Sequence, residues 1–134
     1  AIQECDVLIT VSGKANSLIA KDLKSMAKNA VIFSLSNPVP EIPYKEARKI
    51  GKIVASGGSQ DYKNKINNML AFPPIWKGTL ESRAKRITKK MIIAAAEALA
   101  AAVKPGALNE NNILPPMNQK GLIEQVARKV RNAV

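Results

Sequence analysis

Three short apolar runs, each halted by small or turn-forming residues, constrain this chain more than any other feature. Asp6-Val7-Leu8-Ile9-Thr10-Val11 stops at Ser12-Gly13, and Ala30-Val31-Ile32-Phe33-Ser34-Leu35 stops at Ser36-Asn37-Pro38. Lys52-Ile53-Val54-Ala55-Ser56 stops at Gly57-Gly58-Ser59. Runs of this length without polar alternation suit strands buried on both faces of a parallel sheet. Between the first two, Leu18 to Lys28 carries apolar residues at 18, 19, 23, 26 and 27, a helical spacing. Between the second and third, Tyr44 to Ile50 reads as a short helix, opened after Pro43 and closed by Gly51. Strand, helix, strand, helix, strand is the order of a right-handed parallel βαβαβ unit. The fold class is α/β.

Beyond residue 62 the pattern turns helical. Asn64 to Leu70 is expected to start one helix, which Phe72-Pro73-Pro74 breaks or kinks before it resumes through Ser82. The longest helix is expected from about Lys85 to Val103. Its stripe of Ile87, Met91, Ala94, Ala95, Ala98 and Ala102 is small enough for close packing against a neighbour. Lys104-Pro105-Gly106 stops it. Leu108 to Gln119 reads as a loop, and Lys120 to Val134 as a last amphipathic helix.

Composition removes several chemistries. The chain has no histidine, which excludes a Ser-His-Asp triad and a histidine metal centre within it. A single cysteine, Cys5, excludes an internal disulfide or a cysteine cluster, and it heads a strand where packing is its expected role. Neither a membrane-length apolar stretch nor a signal-like start occurs, so a soluble, cytoplasmic protein without membrane contact is expected. The net charge is +11. Residues 77–134 hold eleven basic and four acidic residues, against ten and six in residues 1–76. Such an excess suits an anionic partner, but scattered Tyr44, Tyr62 and Trp76 make no stacking platform, and nucleic acid is not the expected partner.

In an open parallel sheet, ligands lie outside the carboxyl ends of the strands. Ser12-Gly13-Lys14, Ser36-Asn37-Pro38-Val39-Pro40 and Gly57-Gly58-Ser59-Gln60-Asp61 fall there, with small or amide side chains rather than acids lining the site. Asn67-Asn68 is expected to open the next helix, where free backbone N–H groups favour a carboxylate. Equally, Asn37 and Asp61 are ordinary turn residues and Asn67 an ordinary cap. Neither a G-x-G-x-x-G nor a G-x-x-x-x-G-K-[ST] loop occurs, and no catalytic mechanism assembles from these residues alone.

The ordered segments Ile9-Thr10-Val11-Ser12, Val31 to Ile42 with its Asn37-Pro38, and Ile66-Asn67-Asn68 to Phe72-Pro73 resemble consecutive motifs of malic enzyme. Ile75-Trp76-Lys77-Gly78-Thr79-Leu80, Arg83-Ala84, Ile87-Thr88 and Met91 to Ala100 continue the resemblance, which covers nearly the whole chain and weakens after Pro116. It implies a partial Rossmann-like parallel sheet of about three strands followed by C-terminal helices. Residues 1–62 would form the second half of a dinucleotide-binding domain, and 63–134 a helical segment packing on it.

The resemblance further implies oxidative decarboxylation of malate to pyruvate and CO2 with NAD or NADP and Mg or Mn. Asn37 matches the asparagine that approaches malate and the nicotinamide ribose. Asn68, with Asn67 beside it, matches the asparagine that holds malate's carboxylate. Val11 and Ser12 match the strand end lining the cofactor. The family's catalytic Tyr and Lys, its metal ligands and its glycine-rich loop match nothing here. The resemblance therefore points to a C-terminal portion, silent alone, whose partner is the remainder of the enzyme or an N-terminal subunit. Apolar faces left open at missing strands imply a homo-oligomer.

The chain departs from the family at several places. Ser56-Gly57-Gly58-Ser59 replaces a usual Thr-Gly-Arg-Ser, and Gln60 reads as an insertion. Lys63 and Lys65 stand for a Pro and a Gln, and Pro74 for a Gly. The alternative reading is a basic, non-enzymatic half-Rossmann module for nucleic acid or an acidic protein.

Overall fold

The apolar runs pair as strands because their β-branched residues fit a pleated surface and their backbone groups need partners. In a computed structural model, which describes residues 2–51, 53–58 and 62–134, β1 (Val7–Thr10), β2 (Val31–Ser34) and β3 (Ile53–Ser56) lie parallel and side by side. Val7 faces Val31, which faces Ile53, and Thr10 faces Ser34, which faces Ser56. All three strands therefore end level, and their exits share one rim. The expected strand residue Lys52 and the turn residues Ser59, Gln60 and Asp61 lie outside the described residues.

A fourth strand, β4 (Asn64–Lys65), pairs parallel with β3, so the sheet has four strands rather than about three. The expected helix from Asn64 to Leu70 is therefore corrected. Asn64 is buried, and its amide donates to the Val54 carbonyl at 3.1 Å and to the Glu110 carbonyl at 2.9 Å. These contacts draw the backbone out to the sheet and override a helix.

Two helices are also shorter than their spacing suggests. The 18–28 stretch forms only α1 (Ala20–Leu23), where Asp22 accepts from the Ile19 N–H at 3.0 Å. After it, i to i+3 bonds such as Met26 N–H to Leu23 carbonyl, 3.0 Å, replace the α pattern. The second is α2 (Tyr44–Ala47), started after Pro43 as expected.

The chain divides into two units. Unit 1 comprises 1–66 with 109–112, and unit 2 comprises 67–108 with 113–134. In unit 1 the core gathers Leu23, Met26, Ala30, Ile32, Ile42, Ala47, Val54 and Tyr62. Strand β1 is not buried on both faces as its composition suggests, for Val7 and Ile9 are more than half exposed. Like β4 it is an edge strand, paired on one side only among the described residues.

In unit 2, α3 (Phe72–Glu81), α4 (Lys89–Ala101) and α5 (Leu122–Arg131) enclose a core of Leu70, Met91, Ala95, Ala98, Leu99, Ala102, Leu122, Val126 and Val130. Pro73 and Pro74 begin α3 instead of breaking it, since a first turn needs no N–H from them. Helix α4 starts later than its pattern, because the Thr88 hydroxyl accepts from the Met91 N–H at 3.3 Å and caps it there. The small-residue stripe on α4 is buried at Met91, Ala95, Ala98 and Ala102. Before α5, Gly121 takes φ +79°, a left-handed turn suited to glycine. Among the described residues no helix is long and apolar enough to cross a membrane.

Candidate functional site

The level strand ends of unit 1 place the Ser12-Gly13 exit of β1 beside the Ser36-Asn37 exit of β2. Val11, Ser12 and Gly13 are exposed at this rim, as is Asn37, whose peptide to Pro38 is cis. Among the described residues no hydrogen bond engages the Asn37 amide. Gly58, at the exit of β3, lies against it. A Cβ added there would stand 2.5 Å from Asn37 Oδ1, so a side chain at 58 would have to move that amide. This is the position where the malic enzyme resemblance has an arginine.

Contrary to the expectation that no acid lines these turns, Glu41 folds back beneath them. Its side chain is 1% exposed and takes hydrogen bonds from both exits. Oε1 accepts from the Ser36 hydroxyl at 2.6 Å, the Ser12 N–H at 2.7 Å and the Ser12 hydroxyl at 3.1 Å. Oε2 accepts from the Ser34 hydroxyl at 2.8 Å and the Ser36 N–H at 3.3 Å. The Glu41 N–H in turn donates to Ser34 Oγ at 2.8 Å, and the Gly13 N–H to Ser36 Oγ at 2.8 Å. Burial alone raises the Glu41 carboxyl, but the Ser36 and Ser34 hydroxyls and the Ser12 N–H outweigh it. They hold the group far below the usual carboxylate range, so it is an anion at neutral pH.

This network settles where the Ser12 side chain points within the unit. Its hydroxyl donates inward to Glu41 and accepts the Lys14 N–H at 3.2 Å, and the Ser12 and Gly13 N–H groups also turn inward, to Glu41 and to Ser36 Oγ. The segment that follows Glu41 is also pinned. Tyr62 donates its hydroxyl to the Ile42 carbonyl at 2.5 Å and meets the Tyr44 ring edge-on, centroids 5.1 Å apart. Burial pushes the Tyr62 phenol up to about 12.

In unit 2 the two adjacent asparagines differ. Asn67 Oδ1 accepts from the Met69 N–H at 2.9 Å and caps a single 3₁₀ turn, Asn68–Leu70. Asn68 is exposed and lines a shallow pocket of about 210 Å³ with Met69, Phe72 and Pro73. The expected anion-binding helix start is corrected here. The 3₁₀ turn is one turn long, and α3 begins with Phe72-Pro73-Pro74, two of whose nitrogens carry no hydrogen. The exposed Asn68 side chain is the amide that this turn presents for a carboxylate.

Among the described residues no three His, Cys, Asp or Glu side chains group as a metal-binding set. The described residues thus supply no complete Mg or Mn ligand set of their own. The strand-end rim, by contrast, offers the neutral Asn37 amide and exposed backbone, with Lys14 as an exposed cation beside the β1 exit. Those groups fit a nicotinamide ribose or a carboxamide.

Sequence reasoning named Asn37, Asn67, Asn68, Val11 and Ser12 but missed Glu41. The available signal was a lone acid set between Pro40 and Ile42, downstream of three serines at strand ends, Ser12, Ser34 and Ser36.

The family model described as malic enzyme, NAD binding domain, matches residues 2–134. A bifunctional malic/malolactic enzyme of Bacillus subtilis is 40% identical over 132 residues, 98% of this chain and 32% of that protein. An NAD-dependent malic enzyme of Geobacillus stearothermophilus is 39% identical over 98% of this chain and 27% of its own length. The crystal structure of malic enzyme from Pyrococcus horikoshii superposes with a TM-score of 0.88 at 41% identity, over 98% of this chain and 30% of that one. The chain thus spans about a third or less of these relatives. They give the alternative of a basic nucleic-acid or acidic-protein module no support.

Proposed function

The chain belongs to the malic enzyme NAD-binding domain family, and on that premise we propose that it is the C-terminal portion of an enzyme that oxidatively decarboxylates malate to pyruvate and CO2. The observation that carries the reading is the exposed Asn37 amide, without a hydrogen bond among the described residues, at the carboxyl rim of a parallel sheet. A neutral amide there can accept from a hydroxyl and donate to a carboxylate without altering the charge of the site.

NAD or NADP, when bound, supplies the hydride acceptor. The part of this chain is to bind and orient. Asn37 holds the nicotinamide ribose and the substrate, Val11 and Ser12 offer the strand-end surface to the cofactor, and Asn68 holds a malate carboxylate. Asn67 acts through Asn68, by capping the turn that carries it. The catalytic Tyr and Lys and the Mg or Mn ligands belong to the remainder of the enzyme or to an N-terminal subunit. A cytoplasmic homo-oligomer is part of the same reading, in keeping with the open edge of β1.

The test compares the full-length protein carrying this segment with the isolated chain, each given malate, Mn and NAD or NADP. The full-length protein is expected to form reduced cofactor and pyruvate in equal amounts, and the isolated chain to form neither. No malate-dependent reduction by the full-length protein overturns the reading. Turnover by the isolated chain overturns the division of labour.

A further inference from the structure

Buried carboxylates are costly unless their oxygens are fully hydrogen-bonded. Glu41 meets that condition with five donors, drawn from two strand exits and from no cation. Among the described residues no lysine or arginine pairs with it. A carboxylate balanced by hydroxyls and N–H groups alone keeps its charge without a paired cation.

The donors are not spread at random. Ser12 belongs to the exit of β1, 29 residues before Glu41, while Ser34 and Ser36 belong to the end of β2. Oε1 spans both exits, since it accepts from Ser12 and from Ser36. The Gly13 N–H donation to Ser36 Oγ closes a second link between the same two exits. Asn37 is the residue immediately after Ser36, and among the described residues its own side chain has no hydrogen bond to fix it. The position of that amide is inherited from the backbone that Glu41 clamps.

We propose that Glu41 is a positioning residue: its carboxylate ties the β1 exit to the β2 exit and thereby sets where the Asn37 amide and the Val11–Gly13 backbone stand. This rests on the malic enzyme reading above. The chemistry needs a carboxylate rather than an amide. A glutamine has one acceptor oxygen, and its NH2 would confront the Ser36 N–H, a donor that cannot rotate away. Serine hydroxyls can turn to accept from that NH2, but a backbone N–H cannot.

The experiment uses the full-length enzyme with Glu41→Gln, Asn37→Ala and the double variant, assayed for malate and dinucleotide KM and for kcat. Folded fraction is monitored at the assay temperature. Glu41→Gln is expected to raise the KM for malate or dinucleotide by about tenfold in fully folded protein. In the double variant it is expected to add less than about twofold to the effect of Asn37→Ala, because the amide it positions is gone. A purely structural role predicts unchanged KM in the folded fraction, or full additivity with Asn37→Ala. Either result overturns the proposal.

Ser36→Ala keeps the test open should Glu41→Gln not fold, since it removes one donor and leaves the carboxylate. It is expected to raise KM about threefold, and a wild-type KM in folded Ser36→Ala overturns the clamp. An inactive wild-type enzyme is a separate outcome. It refutes the malic enzyme reading and, with it, the role assigned to Glu41, whereas an active wild type with unaltered variants refutes Glu41 alone.

Discussion

Both units have an apolar core, but they differ in what is built beside it. Unit 1 places a charged group in its interior and surrounds it with serine hydroxyls and backbone N–H groups. Unit 2 closes its helices on small residues. Gly78 of α3 lies so near α5 that an added Cβ would stand 2.5 Å from the Ala127 carbonyl oxygen and 2.7 Å from Val130 Cβ. Polar fixing is directional, so it defines where individual atoms stand. Close apolar packing excludes water and stabilises, but it specifies a surface rather than a single contact. The polar device therefore sits under the rim that must hold a ligand in register.

Removing Glu41 is the strongest way to break this contrast. Glu41→Ala leaves several buried donors without an acceptor and should destabilise the protein by about 3–5 kcal/mol in denaturant unfolding. Because the native carboxyl lies below its unfolded value of 4.5, its stabilisation is complete above that pH and fades as pH falls through the lowered native value. The wild-type protein should thus lose stability on acidification below about pH 4.5 more steeply than Glu41→Ala. Parallel acid limbs would show that the charge contributes nothing.

Gly78→Ala probes the other unit. The clash is with backbone oxygen as well as a side chain, so α3 and α5 must separate, at a cost of about 1–3 kcal/mol. Its thermal midpoint should fall while the KM values of the folded enzyme stay as in wild type. A raised KM at unchanged stability would show that unit 2 packing also governs the rim.

The smallest effect is expected at the surface of unit 2. Glu81 pairs with Lys77 at 2.6 Å and with Arg131 at 3.4 Å, but these side chains are solvated and screened. Glu81→Gln should leave the thermal midpoint unchanged within error. A clear drop would give surface charge a share in the packing of α3 on α5.

Much of this was legible in the residues. The halted apolar runs specify β1, β2 and β3 and their parallel order, because strand pattern and turn chemistry are local. The small stripe of α4 specifies its buried face for the same reason. Strand β4 was hidden, since Asn64-Lys65 has no strand composition and is held by bonds from Asn64 to Val54 and to the distant Glu110. Asn67 and Asn68 looked alike as a pair, and only the fold separated a cap from an exposed amide.

The sequence by itself determined the α/β order, the strand ends where a ligand would lie, and the family to which the chain belongs. These follow from short-range spacing and from ordered motifs. Tertiary structure alone decided that Glu41 is interior and ionised. A solitary glutamate in a proline-rich turn is ordinarily solvated. What makes this one a buried anion is the convergence of Ser12, Ser34 and Ser36 upon it, an arrangement that parallel pairing of β1 with β2 creates.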